Sequence, residues 1–255
     1  MNTAPYQLAA LARNSAVPQR LVIDGVQTAY WVYGADRESA RGQLILVHGY
    51  RGDHHGLEAI AGALSEYHVI IPDLPGYGAS GELPGEYTIA NYAAWLRGFV
   101  TAVSPEATVV GHSFGSIVVA AAAATERIHN DIVLLNAVCR FPDTKQKPVL
   151  QAMSNLFYRI CATLPAPLDR ALVSSPLFVQ LMSSALAKTP NPRLRLWIHS
   201  EHLKHFSKFR SMRSVLEGYE ASLSSSVADY SPRIANRTLV IIGERDDITS
   251  VSTEK

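Results

Sequence analysis

The feature that most constrains this chain is a serine between two glycines, Gly-His-Ser-Phe-Gly at residues 111–115. A short apolar run at 108–110 precedes it and an alanine-rich segment at 116–124 follows, a pattern that predicts a strand, a tight turn and a helix. The glycines leave room for a serine held in a strained backbone conformation, which exposes its hydroxyl. The helix start behind the serine directs backbone N–H groups at a negative charge forming beside that hydroxyl. We therefore predict that Ser113 is a nucleophile.

Composition limits the class of protein and its partners. A chain of 255 residues, 47% hydrophobic and 18% charged, is long enough for one large α/β domain with an insertion but too short for two ordinary domains. Lys and Arg number 23 against 22 Asp and Glu, so the charge balance argues against a nucleic-acid partner. Cys139 and Cys161 lack the spacing of a metal site or a disulfide framework. No leader and no sustained apolar segment is evident, so we expect a cytoplasmic protein without an integral membrane segment, a metal or a cofactor.

Strand and helix patterns alternate over most of the chain. Asp24-Gly25 separates two β-rich runs at 20–23 and 27–33, which predicts an antiparallel hairpin at the start. Apolar runs of the kind found in buried parallel strands follow at 43–47, 68–72, 108–110, 131–138 and 238–242, with helices expected between them, including one near 89–103. This order predicts a mostly parallel sheet flanked by helices, with the functional site at the carboxyl ends of the strands.

One segment departs from this alternation. From residue 139 to about 231 the chain is a succession of helical patterns interrupted by prolines. We expect residues 139–231 to form a helical cap inserted into a core made of residues 1–138 and 232–255.

Three further loops follow predicted strand ends: His-Gly-Tyr at 48–50, Asp-Leu-Pro-Gly-Tyr-Gly-Ala-Ser at 73–80 and Gly-Glu-Arg-Asp at 243–246. Together with the serine turn, and in this order, they resemble the α/β-hydrolase superfamily over residues 20–250. The segment 48–57 and the histidine-bearing cap helix are also similar to uncharacterised actinobacterial hydrolases and lipases.

The resemblance implies a role for each loop. Ser113 would be the nucleophile, and the backbone N–H groups of Tyr50 and Phe114 would form the oxyanion hole, positions that the loop geometry also favours. Asp246 fits the acid of the catalytic triad, with Asp247 as the alternative and a turn-forming aspartate as the plainer interpretation. The family places its histidine after the acid, yet none of the nine histidines follows Asp246. The resemblance therefore implies that a C-terminal strand and helix are missing from the sequence, or that the protein is an inactive relative.

No other histidine is nominated as the base. His112 is expected to support the turn, and His48 to stabilise its loop. His54 and His55 are expected either at the pocket edge or at an exposed helix start. His199, His202 and His205 share one helix face; a metal site there is the alternative to the expected solvated or pocket-rim face. The same interpretation, a solvated helix face with attraction to anionic lipid as the alternative, applies to Arg193, Arg195, Lys204, Lys208, Arg210 and Arg213.

The leading functional hypothesis is a serine hydrolase, esterase-like or lipase-like, that cleaves a carboxylic ester or related small acyl substrate through an acyl-enzyme. The alternatives are a non-catalytic ligand-binding protein on a hydrolase scaffold, a C–C bond hydrolase or a cofactor-free haloperoxidase, and a membrane-surface protein. Several apolar residues of the cap could line an acyl cavity or simply pack the cap: Phe157, Tyr158, Leu177, Phe178, Leu181, Met182 and Trp197. The sequence leaves the oligomeric state open.

Overall fold

A computed structural model describes residues 3–125, 128–139 and 148–243, and in this part of the chain seven strands form one sheet in the order β1-β2-β4-β3-β5-β6-β7. The strands are β1 (Val17–Ile23), β2 (Val26–Gly34), β3 (Gln43–Val47), β4 (His68–Pro72), β5 (Thr108–His112), β6 (Ile132–Leu135) and β7 (Thr238–Ile241). The helices are α1 (Pro5–Ser15), α2 (Glu58–Ala63), α3 (Ile89–Val103), α4 (Phe114–Ala123), α5 (Pro148–Thr163), α6 (Leu168–Val173), α7 (Pro176–Leu186), α8 (Pro192–His205), α9 (Met212–Ser224) and α10 (Val227–Tyr230), with 3-10 turns η1 (His54–Leu57) and η2 (Ser231–Arg233).

The sheet is antiparallel at one edge and parallel elsewhere, which confirms the predicted architecture. β1 and β2 form the predicted hairpin, and the positive φ angles of Asp24 (46°) and Gly25 (81°) make its tight turn. β2 pairs antiparallel with β4, and the remaining neighbouring pairs are all parallel. Val47 pairs with Gly111 and His112 pairs with Leu135, so β3, β5 and β6 end at the same edge of the sheet.

Helices cover both faces of the sheet, because alternate residues of the parallel strands point to opposite sides. Ile45 and Ile70 belong to a core cluster with residues of α3 and α4, whereas Leu46 and Val69 pack in a second cluster with α1, η1 and α2. Helix α1 differs from the sequence prediction, which began the fold at the hairpin. Its small residues pack on α2, a feature that the low hydrophobicity of the N-terminal segment concealed.

The predicted element bounds hold with small shifts. The strand expected at 131–138 is only β6, because Asn136 takes a positive φ of 45° that ends the extended backbone. The helix expected after Asp53 begins as η1 and continues as α2, and the Asp53 carboxylate caps it by accepting from the His55 N–H.

The described residues between β6 and β7 form the helices α5 to α10 and the turn η2, joined by short loops, and contain no strand of the sheet. An isolated bridge pairs Phe209 of this segment with Tyr77 of the loop after β4. Among the described residues, no helix combines the length and the hydrophobicity that a bilayer crossing requires.

Candidate active site

Ser113 lies in the turn between β5 and α4 with φ 53° and ψ −120°, a region that residues with side chains rarely occupy. Such a conformation costs about 1–3 kcal/mol and persists only where the surroundings impose it. A Cβ on Gly111 would lie 2.5 Å from the Gly115 carbonyl oxygen, and a Cβ on Gly115 would overlap the Val47 carbonyl oxygen. Both glycines are therefore required for this turn, and they hold Ser113 partly exposed at the end of the sheet.

Helix α4 follows the turn directly and holds it in place, since every residue from Phe114 to Ala123 is buried. The Ser113 N–H donates to the Leu135 carbonyl oxygen (3.1 Å), which ties the turn to β6. The Ser116 hydroxyl donates to the Ser113 carbonyl oxygen (2.6 Å) and accepts from the Val138 N–H (3.1 Å). The serine is thus held by a strand, a helix and the segment after β6.

The loop after β3 lies directly against the serine. A Cβ on Gly49 would be 3.4 Å from the Ser113 Cβ, an ordinary contact distance. The His48 Nδ1–H donates to the Gly49 carbonyl oxygen (2.8 Å), and its Nε2 accepts from the Leu74 N–H (2.9 Å). Burial lowers the pKa of His48, so the neutral imidazole that this pair of bonds requires is the form present. His48 is loop-stabilising, as predicted.

Tyr50 is fixed by its side chain. Its hydroxyl donates to the Val215 carbonyl oxygen of α9 (2.7 Å), and its ring meets Tyr77 and Phe114 edge-on. Burial raises the pKa of Tyr50 well above its usual range, so the hydroxyl remains a donor. Within the described segments, neither the Tyr50 nor the Phe114 backbone N–H donates to a carbonyl oxygen. Two N–H groups beside the serine are therefore available to a ligand.

Arg51 is a residue of the site that no sequence pattern indicated. This residue has φ 58° and is only 3% exposed. Its guanidinium donates to the Phe206 carbonyl oxygen at the end of α8 (Nε 3.2 Å, Nη2 2.9 Å) and to the Val173 carbonyl oxygen of α6 (3.1 Å). The loop beside the serine is therefore joined to the helices that precede β7. A buried arginine that bonds only to main-chain carbonyls has no signature in a sequence.

Asp73 follows β4 directly, and its contacts are structural. Its Oδ1 accepts from both the backbone N–H and the Nδ1 of His54 (2.8 Å each), and its Oδ2 accepts from the Ala79 N–H (2.7 Å). The His54 ring stacks on Trp31 with centroids 3.4 Å apart. The sequence predicted His54 either at the pocket edge or at an exposed helix start. Its buried contacts with Asp73 and Trp31 support neither position.

Asp53, His55 and His205 join η1 to α8. The Asp53 carboxylate contacts the Nδ1 of His55 (3.0 Å) and the Nδ1 of His205 (3.1 Å), and Lys208 Nζ lies 3.8 Å away. Burial opposes ionisation of Asp53, but the hydrogen bonds from His205 and His55 outweigh it and lower its pKa below the usual range. Asp53, His54 and His55 are close enough to hold a metal ion, but their ligand atoms are engaged by these contacts and by Asp73.

His199 and His202 meet one buried hydroxyl. The Ser183 Oγ lies 2.5 Å from the His199 Nδ1 and 2.7 Å from the His202 Nδ1, and Ser183 is fully buried. The solvated face expected for these two histidines and for His205 is therefore wrong, because Ser183 of α7 and Asp53 before η1 supply polar partners that the sequence could not pair with them. The other expectation, a pocket rim, stays a prediction. The basic side chains Arg193, Arg195, Lys204, Lys208, Arg210 and Arg213 are exposed as predicted, but they do not share the predicted helix face. Lys208 and Arg210 lie between α8 and α9, and Arg210 and Arg213 donate to carbonyl oxygens of residues 79–85.

The apolar residues expected around an acyl group differ in position and exposure. Phe157 stacks on Phe178 (centroids 4.0 Å apart), and the Tyr158 hydroxyl lies 3.5 Å from that of Tyr50, so these aromatic rings adjoin the loop beside the serine. Leu177 and Leu181 are 83% and 64% exposed, so neither of the two places expected for them, an acyl cavity or the packed interior of the cap, fits these side chains. Met182 and Trp197 are partly buried.

The remaining triad positions stay predictions. Asp246 and Asp247 lie outside the described residues. The described histidines at 48, 54, 55, 68, 199, 202 and 205 contact groups other than Ser113. The structure thus brings together Ser113, Tyr50 and Phe114 and leaves the acid and the base unassigned.

A parallel sheet with a strained serine turn at its carboxyl edge defines the α/β-hydrolase class. Residues 43–253 match the family described as alpha/beta hydrolase fold, and the chain belongs to that family. The narrower resemblance to actinobacterial members remains a prediction. No curated protein sequence matches the chain significantly.

Solved structures share the fold at low sequence identity. A membrane phospholipase A has a TM-score of 0.68 and 21% identity, over 98% of this chain and 78% of that one. An esterase from Exiguobacterium antarcticum has a TM-score of 0.71 and 15% identity, over 93% and 85%. The epoxide hydrolase CorEH has a TM-score of 0.67 and 20% identity, over 89% and 81%. Identities this low establish the fold and leave the reaction to the residues of the site.

Proposed function

We propose that the protein is a serine hydrolase that cleaves a carboxylic ester or related small acyl substrate through an acyl-enzyme on Ser113. The observation that carries this proposal is the positive φ of Ser113 between two glycines that tolerate no side chain. A strained serine retained at a strand–helix junction is the geometry that presents a nucleophile. The turn carries a serine where an epoxide hydrolase of this fold carries an aspartate, which favours acyl transfer.

The chemistry follows from the groups around the serine. The Ser113 Oγ attacks the acyl carbonyl carbon, and the N–H groups of Tyr50 and Phe114 receive the oxyanion of the tetrahedral intermediate. The alcohol leaves with a proton, and water then attacks the acyl-enzyme and releases the acid. A histidine oriented by Asp246, or by Asp247, would transfer the protons. The base is left unassigned, because the described histidines at 48, 54, 55, 199, 202 and 205 are committed to other partners.

We further propose that residues 139–231 form a cap on a core of residues 1–138 and 232–255. The support is that Tyr50 and Arg51, which flank the proposed oxyanion position, bond to α9, α6 and the end of α8. The Phe157 and Tyr158 rings beside Tyr50 would contact the acyl group, so the cap would select the substrate.

A second candidate is a non-catalytic protein that binds an acyl ligand. The observation in its favour is that the described histidines at 48, 54, 55, 199, 202 and 205 are engaged by other groups. Such a protein would bind acyl ligands with no turnover, and replacement of Ser113 would alter affinity only.

The experiment measures hydrolysis of p-nitrophenyl butyrate and covalent labelling by a fluorophosphonate. Ser113→Ala is expected to lower kcat by about 10⁴-fold or more and to abolish labelling, because the nucleophile acts as a unit with its base. Ser184→Ala, which removes an exposed hydroxyl of α7, is the matched control and should change neither. Full activity in Ser113→Ala, or a label on another residue, would contradict the proposal. Ligand binding without turnover or labelling would favour the second candidate.

A further inference from the structure

Helix α8 is inverted relative to an ordinary surface helix. Its His202 and His205 turn inward to Ser183 and Asp53, while Leu196 and Leu203 are 69% and 44% exposed. None of its residues is fully buried. Helices normally turn their apolar side to the core and their histidines to water. The leucines of α8 are thus presented to solvent by the polar contacts on its other side.

Helix α7 shows the same arrangement. Its Ser183 is buried against α8, while Leu177 and Leu181, one turn apart, are 83% and 64% exposed. Its inward side carries Val179, which is buried, and Phe178, which stacks on Phe157 of α5. The two exposed leucines therefore lie away from the body of the protein.

The exposed leucines of α7 and α8 belong to two helices that pack against each other. The two helices pack on each other through Ser183, and α8 is held to the rest of the chain by Glu201, which pairs with Arg13 (2.9 Å), and by His205. At 100° per residue, Leu196 and Leu203 lie on the side of α8 that points away from Glu201 and His205. We call Leu177, Leu181, Leu196 and Leu203 the leucine face.

The stretch of chain that carries the leucine face is rich in basic residues. Residues 155–213 contain nine Lys and Arg and two Asp and Glu, whereas the whole chain has a net charge of only +1. Arg193, Arg195 and Lys204 lie on α8 among its leucines and are exposed. Exposed leucines edged by basic side chains are the composition of a helix that lies in a membrane interface.

We propose that the leucine face docks on the surface of an anionic lipid bilayer, with its leucines in the headgroup region and the basic side chains of α8 near lipid phosphates. A second copy of this chain is disfavoured as the occupant, because two faces of the same positive charge repel each other. A polyanion such as nucleic acid is also disfavoured, because it would pair with the arginines but leave the leucines exposed to water. The proposal rests on exposure and charge, and it holds whether or not Ser113 is catalytic.

The test measures sedimentation of the full chain with sucrose-loaded vesicles of phosphatidylcholine alone or with phosphatidylglycerol. Binding is expected to the mixed vesicles and to weaken strongly from 0.05 to 0.5 M NaCl, because salt screens charges near the surface. Leu177→Ser combined with Leu181→Ser is expected to lower the partition coefficient about tenfold or more, since two exposed leucines no longer enter the interface. Arg193→Gln should lower it about fivefold on mixed vesicles and change it little on neutral ones.

Val22→Thr is the matched control, because Val22 is 64% exposed on β1, outside the helical segment, and its replacement should leave binding unchanged. Circular dichroism checks that each variant is folded; if the leucine pair fails to fold, Arg193→Gln and the salt series carry the test. The proposal is overturned if the wild type does not bind mixed vesicles at millimolar lipid, or if binding is the same in all variants. It is also overturned if light scattering without lipid shows a dimer that the leucine substitutions dissociate.

Discussion

Helices α4 and α8 are held in place by opposite means. Every residue of α4 is buried, and Ser116 is its only polar side chain. Helix α8 has no buried residue; its contacts to the rest of the chain include the hydrogen bonds and ion pairs of Glu201, His202 and His205. Helix α4 begins directly after Ser113 and so fixes the serine at the carboxyl edge of the sheet. Phe206, directly after α8, accepts hydrogen bonds from Arg51 in the loop after β3.

The two helices differ in how sensitive their contacts are to pH and salt. Apolar burial is insensitive to pH and salt over the physiological range, so α4 keeps the serine turn fixed in place. Polar docking depends on protonation and on individual partners, so α8 can respond to conditions that leave α4 unchanged. The following predictions compare these two regions directly.

The largest effect is expected at the α4 start. Gly115→Ala places a Cβ against the Val47 carbonyl oxygen and 2.8 Å from that of His48, and main-chain atoms cannot move aside. We expect a loss of unfolding free energy on the order of 4 kcal/mol by urea titration. Gly56→Ala is the control, because nothing lies within 4 Å of a Cβ there, and its change should stay below about 1 kcal/mol. Equal effects would show that the turn has more room than the geometry indicates.

Truncation of one apolar side chain on each helix tests whether apolar burial stabilises α4 but not α8. Ile117→Ala in α4 removes a fully buried side chain and should cost about 3 kcal/mol. Leu196→Ala in α8 removes a side chain that is 69% exposed and should cost less than about 0.5 kcal/mol in the absence of lipid. Urea unfolding of both variants measures the difference. A large cost for Leu196→Ala would mean that its side chain is covered in solution.

The ion pairs of α8 are tested at Asp53. Asp53→Asn leaves His55, His205 and Lys208 without their shared buried carboxylate, and we expect a loss of about 2 kcal/mol together with faster proteolysis within α8. Glu66→Gln is the control, because Glu66 pairs with Arg41 at an exposed position and should cost less than about 1 kcal/mol. Unchanged proteolysis in Asp53→Asn would show that α8 is held by other contacts.

The smallest effect concerns pH. Burial lowers the pKa of His202 from its ordinary 6.5 to about 4. Between these values the unfolded chain binds more protons than the folded chain, so stability falls as the pH drops from 6.5 towards 4. We expect a contribution on the order of 1 kcal/mol, discounted for partial exposure of the ring, and His202→Gln should flatten this part of the profile. Thermal unfolding of both proteins across this pH range measures it; parallel profiles would contradict it.

Much of the fold was predictable because its signals are local. The parallel strands read as continuous apolar runs, Asp24-Gly25 marked the hairpin, and glycines at fixed positions around Ser113 marked the turn. Of the candidate site, the structure places Ser113, Tyr50 and Phe114 together. Asp246 and Asp247 remain predictions, since they lie outside the described residues.

The orientation of α8 could not be predicted. A pattern of leucines and histidines shows which residues share a helix face, and the usual preference for buried leucines then selects the wrong face. Ser183 and Asp53 reverse that preference, and they lie 19 and 152 residues from their histidine partners.

The sequence by itself determined the order of strands and helices and the serine turn, because backbone geometry and apolar periodicity act over a few neighbouring residues. Only the tertiary structure decided which side of α7 and α8 meets water, where Arg51 finds its acceptors and which carboxylates engage the histidines. Those outcomes depend on pairs of polar groups far apart in the chain. Their energies arise only when the fold has removed both partners from water.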